Sequence, residues 1–399
     1  MLSFPVNKFK STIFAYICVL LITRQTYEGL LPTKRVNFVL QIIFEISSMK
    51  IRKEIQIQTD NGELKSAIVP LIISASRSTD VPAFHSAWLV NRLKSGYVCW
   101  TNPFNRTNPQ YISFQEARLF VFWTKNPQPL IRHLPFFDKL GLNYYFQYTL
   151  NNYEKESFEP NVPPLTKRVD TFIRLSELIG KEKVIWRFDP LLLTDQLTVT
   201  ELLKRIWELG NQLVRHTDKL VFSFADILFY QKVRSNLIKE TSYYNESTIH
   251  LAEFTVAQKN EFAAGIQKIL QEWLKINPDF RIATCAEDID LEKYEITHNK
   301  CIDDELIEKL FPTDRKLMDL LGVKPKEQLL FGGEVQSKKQ NLKDKGQRKA
   351  CGCMISKDIG SYNTCNHLCV YCYANTSPSV VRKNLQELSS DSESILPIL

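Results

Sequence analysis

Six short apolar runs separated by stretches of helical period constrain this chain more than any other feature. Residues 68–76, 119–124, 144–150, 184–188, 220–224 and 281–285 are rich in branched and aromatic side chains, and each is followed by a polar cluster. This pattern predicts buried strands. Between most of them lie helix-length segments with apolar spacings of three and four, as in 167–179, 199–213 and 261–276. A helix between two strands returns the chain to the starting edge, so successive strands run parallel. The expected fold class is therefore α/β, as an open doubly wound sheet or as a closed or partial parallel (β/α) barrel.

Polar residues at the predicted carboxyl ends of the strands favour the barrel. They are Arg77, Ser78, Thr79 and Asp80; Lys125 and Asn126; Gln147 and Thr149; Arg187 and Asp189; Asp226; and Cys285 and Glu287. Barrel enzymes place their chemistry around such a ring, whereas an open sheet concentrates it at one switch point. The expected organisation is a TIM-like barrel domain over 65–300, a cysteine-rich segment over 301–382 packed on it, and a mobile acidic, serine-rich tail over 383–399. Arginine makes a planar two-point contact to carboxylate or phosphate, so Arg77 with Asp80 is a candidate binding pair; a mutual ion pair is the alternative. Lys125, Arg187 and Asp189 are candidate catalytic residues, since charges ringing a barrel mouth are unfavourable unless paired or used. Trp123 and Trp186 read as core. His85, His133, His216, His250 and His298 show no pairing with a serine or cysteine nucleophile, which leaves hydrolytic catalysis without support.

With 399 residues, 44% of them hydrophobic, the chain can bury a large core. Its first 48 residues differ from the rest: Lys8 and Lys10 precede an apolar run over 13–22, and a second run follows over 36–46. Arg24 interrupts the pattern and no small-residue cleavage site follows Ile22, so translation is expected to start at Met49, with a membrane tether as the alternative. The leader holds five Lys and Arg and two Glu; of the chain's 51 basic and 44 acidic residues, 46 and 42 lie beyond it, a net of +4. So small a surplus does not require a nucleic-acid partner. The basic stretch 338–349 is expected to be a solvated linker.

Seven of the nine cysteines fall after position 280, which argues for metal ligation in a reducing cytoplasm rather than a disulfide scaffold. Three of them stand in Cys365-Asn366-His367-Leu368-Cys369-Val370-Tyr371-Cys372. Thiolates select iron–sulfur clusters, zinc or copper(I) over hard cations. A ferredoxin-type cluster needs four thiolates in another arrangement, and zinc sites use paired two-residue gaps. The spacing therefore points to a 4Fe–4S cluster with three protein ligands and one open iron, with zinc completed by His367 as the alternative. Cys285, Cys301, Cys351 and Cys353 supply four more thiols, enough to close a second cluster or a structural zinc. Cys18 and Cys99 sit in apolar surroundings and read as core residues.

The triplet resembles the cluster loop of radical S-adenosylmethionine (SAM) enzymes. That resemblance implies SAM as cofactor, an external electron donor such as flavodoxin or ferredoxin, and a 5′-deoxyadenosyl radical that abstracts hydrogen from a substrate. Tyr371 then occupies the aromatic position that lies against adenine, and Arg77 and Asp80 are candidates for holding SAM. The usual Gly-Gly-Glu-Pro stretch after the loop is absent, and Gly332-Gly333-Glu334 reads as a turn. The segments 74–83, Asn102-Pro103-Phe104-Asn105, 122–127 and 185–190, with Cys351-Gly352-Cys353, Asp358-Ile359-Gly360 and 364–375, resemble the domain of unknown function 1848 family. This implies a bacterial cytoplasmic protein with a barrel-like fold and a C-terminal cluster site. The run 364–375 is also locally similar to proteins related to spore photoproduct lyase. A redox or sensor protein that carries a cluster without catalysis, and a zinc-stabilised nucleic-acid-binding module, are the competing functions.

Overall fold

The computed structural model describes residues 54–102, 105–323 and 342–396. The leader with Cys18 and Met49, the turn at Gly332-Gly333-Glu334, Pro103 and Phe104, and residues 338–341 of the basic stretch lie outside them. The described part belongs to one compact unit. Its strands are β1 (Glu54–Gln58), β2 (Leu64–Ile68), β3 (Ile72–Ala75), β4 (Tyr97–Asn102), β5 (Asn105–Ser113), β6 (Leu119–Thr124), β7 (Asn143–Thr149), β8 (Val184–Leu191), β9 (Lys219–Phe224), β10 (Arg281–Thr284), β11 (Ile296–His298) and β12 (Lys357–Asp358).

Eight of these form one sheet in the order β11-β10-β9-β8-β7-β6-β3-β12, and every pairing in it is parallel. The six strands expected from sequence all lie in this sheet. From β3 to β11 the strand order follows chain order without reversal, so no switch point of the doubly wound kind arises. Among the described residues β11 and β12 pair with one neighbour each. The expected helices occur as Leu165–Ile179, Val199–Leu213 and Val256–Leu274. No helix among the described residues is long and apolar enough to cross a membrane. A second, mixed sheet has the order β1-β2-β5-β4.

Alternation along the strands sorts the side chains onto two faces. Ile73, Phe120, Phe122, Phe146, Trp186, Phe188, Phe222 and Phe224 join one buried cluster with the amphipathic helices. Their neighbours Ile72, Leu119, Val121, Tyr145, Ile185 and Val221 join another, completed by Cys301, Ile302, Cys351, Cys353 and the helices Asp304–Leu310 and Arg315–Leu321. Strands covered on both sides explain why their sequences read as continuous apolar runs. Residues 301–323 and 342–354 thus pack on the sheet face opposite the large helices, while Ile359 and Val370 join the helix-side cluster.

The segment expected to be a mobile tail is laid down instead. After the helix Pro378–Gln386, Trp88 donates to Ser392 O at 2.8 Å, the Cys99 N–H to Glu393 O at 2.8 Å, and the Asp60 N–H to Glu393 Oε1 at 2.9 Å. Two of these acceptors are backbone carbonyls and the third is the Glu393 carboxylate. In the basic stretch, Arg348 pairs with Asp226 at 2.5 Å, so that part is not a free linker. Cys99 is a core residue, as expected, and burial pushes its thiol up to about 12.

Two helices meet at unusually close range. A Cβ on Gly210 would stand 1.8 Å from the Trp273 ring, and one on Gly265 2.2 Å from Leu203 Cδ1. Alanine is intrinsically the better helix former by about 1 kcal/mol, yet the rigid indole cannot yield. Gly210→Ala is therefore expected to destabilise, since overpacking costs about 1–3 kcal/mol. A lower urea midpoint checks this; a raised midpoint contradicts the close approach.

Candidate metal centre

The loop carrying Cys365, Cys369 and Cys372 is clamped at the carboxyl ends of β3, β6 and β7. Asp80 is the anchor: its carboxylate accepts from Thr124 Oγ1 (2.7 Å), the Lys125 N–H (2.7 Å), the Ala83 N–H (2.9 Å) and His367 Nε2 (2.8 Å). The last bond reaches from β3 to the middle of the cysteine loop. Further contacts fix the loop's backbone: the Val370 N–H donates to Phe158 O (3.0 Å), Asn161 Nδ2 to Asn366 O (2.8 Å) and Asn375 Nδ2 to Cys365 O (2.9 Å). Leu368 takes a φ of 54°, which reverses the chain between the first two cysteines. His367 Nδ1 stands 3.4 Å from Asn161 O. Both ring nitrogens thus face oxygens, Nε2 the Asp80 carboxylate and Nδ1 the Asn161 carbonyl.

No disulfide involves the three thiols. Burial is the largest influence on each: it pushes Cys365 up to about 12, Cys369 well above the ordinary thiol range, and Cys372 upward. Without a metal they are neutral and inert; a soft metal displaces their protons. Among the described residues no three His, Cys, Asp or Glu side chains stand at the close spacing of a single-ion site. Tetrahedral zinc, with Zn–S bonds of about 2.3 Å, demands roughly 3.8 Å between sulfurs. The donor set, three soft thiols free of disulfide with Cys369 buried and Cys365 and Cys372 half-buried, is compatible with a three-cysteine cluster.

Beside the loop, Lys125 Nζ donates to Glu159 Oε1 (2.7 Å) and Tyr371 Oη (3.0 Å), while Asn151 Nδ2 reaches Glu159 (2.9 Å) and Tyr371 (3.1 Å). The Tyr371 hydroxyl donates to Glu159. Burial pushes the Glu159 carboxyl up, yet Lys125 and Arg168 outweigh it and hold it below its ordinary value; burial lowers Lys125, yet Glu159 outweighs that and raises it. The pair is ionised. Tyr371 therefore spends its hydroxyl on this knot and sets its ring edgewise to Tyr153 at 6.3 Å. Glu159 and Asn151 were not singled out from sequence. Asn151 follows β7 and was within reach of the strand-end rule; Glu159 lies in a loop without period or motif.

The other candidates gather elsewhere. Arg187, from β8, donates through Nη1 to Cys301 Sγ (3.1 Å) and Gln147 Oε1 (3.2 Å) and pairs with Asp189, which also accepts from Ser223. Cys285 and Cys301 sulfurs are 3.5 Å apart, and the Cys301 N–H donates to Cys353 Sγ at 3.2 Å. Cys351, hydrogen-bonded with Cys353, is lowered to about 7. The four cysteines of the second set thus come together. Arg77 and Asp80 do not: Asp80 faces the triplet, whereas the Arg77 guanidinium lies over Trp123 at 4.9 Å, on the side of Cys301 and Cys353. Glu287 accepts the Phe224 N–H at 2.9 Å and faces Lys259, bracing the end of β9.

His85 lies beneath the loop and donates from Nε2 to Thr364 O at 3.1 Å. Burial lowers its pKa from 6.5 to about 4. The folded ring is neutral, so the unfolded chain binds the extra proton between pH 4 and pH 6.5. The contribution is whole above that window and is lost as pH falls through it. Wild type is expected to lose on the order of 3 kcal/mol more than His85→Gln on acidification, measured by denaturant unfolding; equal losses contradict the buried neutral ring.

Comparison with known proteins bears on the family alone. Neither a curated protein nor a solved structure matches the chain. A family model described as Domain of unknown function (DUF1848) matches residues 72–374, from the first strand of the parallel sheet to just past Cys372. By that match, which spans more than half of its length, the chain belongs to the domain of unknown function 1848 family.

Proposed function

We propose that this protein is a radical SAM-type iron–sulfur enzyme acting in the cytoplasm, its parallel sheet curved as a partial (β/α) barrel with the cluster loop at the mouth. One observation carries the reading: three free thiols, one buried and two half-buried, are held on a loop clamped to the carboxyl ends of the strands, and the histidine within that loop is held on Asp80. Cys365, Cys369 and Cys372 would hold a 4Fe–4S cluster. When bound with SAM and reduced by a donor such as flavodoxin or ferredoxin, that group supplies a 5′-deoxyadenosyl radical for hydrogen abstraction.

The chain's own part is to position and to exclude water. Asp80, His367 and the Leu368 turn fix the three sulfurs relative to β3 and β6. The knot of Lys125, Glu159, Tyr371 and Asn151 stiffens the loop's far side with hydrogen bonds that converge on Glu159 Oε1 and the Tyr371 hydroxyl. Lys125 places a positive charge near Cys369, which favours the thiolate form a cluster needs. Asp80, first considered for binding SAM, acts here as a brace, and the buried pair Arg187 and Asp189 turns toward the other cysteine set.

Anaerobically reconstituted protein is expected to release 5′-deoxyadenosine from SAM with dithionite, and Cys369→Ala to abolish the release. Iron-replete wild type that releases none overturns the proposal and leaves a non-catalytic cluster protein; zinc in place of iron favours a zinc-stabilised module. Asp80→Asn keeps the shape but removes the charge that orients His367. Outer partners of this kind matter about 10–100-fold in metal affinity, so the variant should lose iron to a chelator faster by that order. Iron retention equal to wild type contradicts the brace.

A further inference from the structure

We infer that Cys285, Cys301, Cys351 and Cys353 form a second metal centre, closed by four thiolates, on the sheet face opposite the large helices. The four come from three separate stretches of chain and meet at one place. Cys285 follows β10 and Cys301 follows β11, while Cys351 and Cys353 arrive on the segment joined by the bond from the Met354 N–H to Ile302 O at 3.0 Å. Cys301 is the hub: its sulfur lies 3.5 Å from that of Cys285, its N–H donates to Cys353 Sγ, and its carbonyl accepts from Tyr145 (2.7 Å) and Gln147 (3.0 Å). None of the four is in a disulfide.

Polar donors converge on these sulfurs. Arg187 Nη1 donates to Cys301 Sγ at 3.1 Å, and Asn299 Nδ2 approaches the same sulfur at 3.4 Å. On the other side Arg77 Nη2 is buried without a hydrogen-bond partner, an arrangement unfavourable in a dry site unless negative charge faces it. Four thiolates around a divalent metal or a cluster of charge +2 carry a net charge of about −2. Two guanidinium groups stand near it, Arg187 paired also with Asp189 and Arg77 facing Asp358 as well. On binding, four S–H bonds give way to four metal–sulfur bonds, and four protons leave to solvent. Both zinc and an iron–sulfur cluster share this chemistry, and the Cys285 and Cys301 sulfurs, 3.5 Å apart, stand near the spacing of ligands on a single ion.

This centre is independent of the radical-generating one, and the test keeps them apart. In full-length protein with Cys365, Cys369 and Cys372 all replaced by alanine, metal that is retained reports the second centre alone. That variant, reconstituted anaerobically, is expected to keep about one zinc or about four iron per chain, and to lose it when Cys301→Ser and Cys353→Ser are added. Zinc retained identifies a structural ion, and iron with sulfide a cluster; either supports the centre. A triplet variant with wild-type circular dichroism that binds neither metal overturns it. Should the variants not fold, iodoacetamide labelling of metal-replete wild type decides: the four thiols should label at least about tenfold faster after chelation, and equal rates before and after overturn the proposal.

Discussion

A single buried carboxylate holds the architecture of the site together. Asp80 accepts four hydrogen bonds, from its own loop, from two groups at the end of β6 and from His367. These donors come from three places remote in sequence, so the cysteine loop can be positioned only after the first strands of the sheet are in place. Removing the carboxylate would leave several buried donors unpaired, each costing about 1–3 kcal/mol. The late position of the cysteines in the chain is thereby reconciled with a place at the strand ends.

The sheet separates stability from chemistry by its two-residue period. One set of alternate side chains, from Phe120 to Phe224, packs under amphipathic helices and carries the apolar core. The set between them places Gln147 and Arg187 against Cys301, and Ser223 against Asp189. A chain of polar contacts then connects the two cysteine sets: Cys301 to Arg187, Arg187 to Asp189, Asp189 to Asn151 and Asn151 to Tyr371, next to Cys372. In a dry interior each such bond is strong and expensive to leave unmade.

Much of the fold was legible because buried strands and amphipathic helices write their period into sequence. β6 spans 119–124 as read, and the helix Val199–Leu213 agrees at both ends. β11 and β12, of three and two residues, are too short to leave a period. The acidic tail looked disordered by composition; its order comes from Trp88, Asp60 and backbone groups of β4, partners that sequence alone does not bring near. In the site, the cysteines were legible from spacing and the strand-end charges from position. Their partners were not: Asp80 and Arg77 are three residues apart yet serve different cysteine sets, and Glu159 acquires its role only because a loop folds back on Tyr371.

Anomalous diffraction at the iron edge from anaerobically grown crystals tests the central claim most directly. The account predicts strong iron density bonded to Cys365, Cys369 and Cys372 and to no fourth protein side chain, with His367 still on Asp80. Density at the zinc edge instead, or His367 turned inward as a fourth ligand, would contradict it.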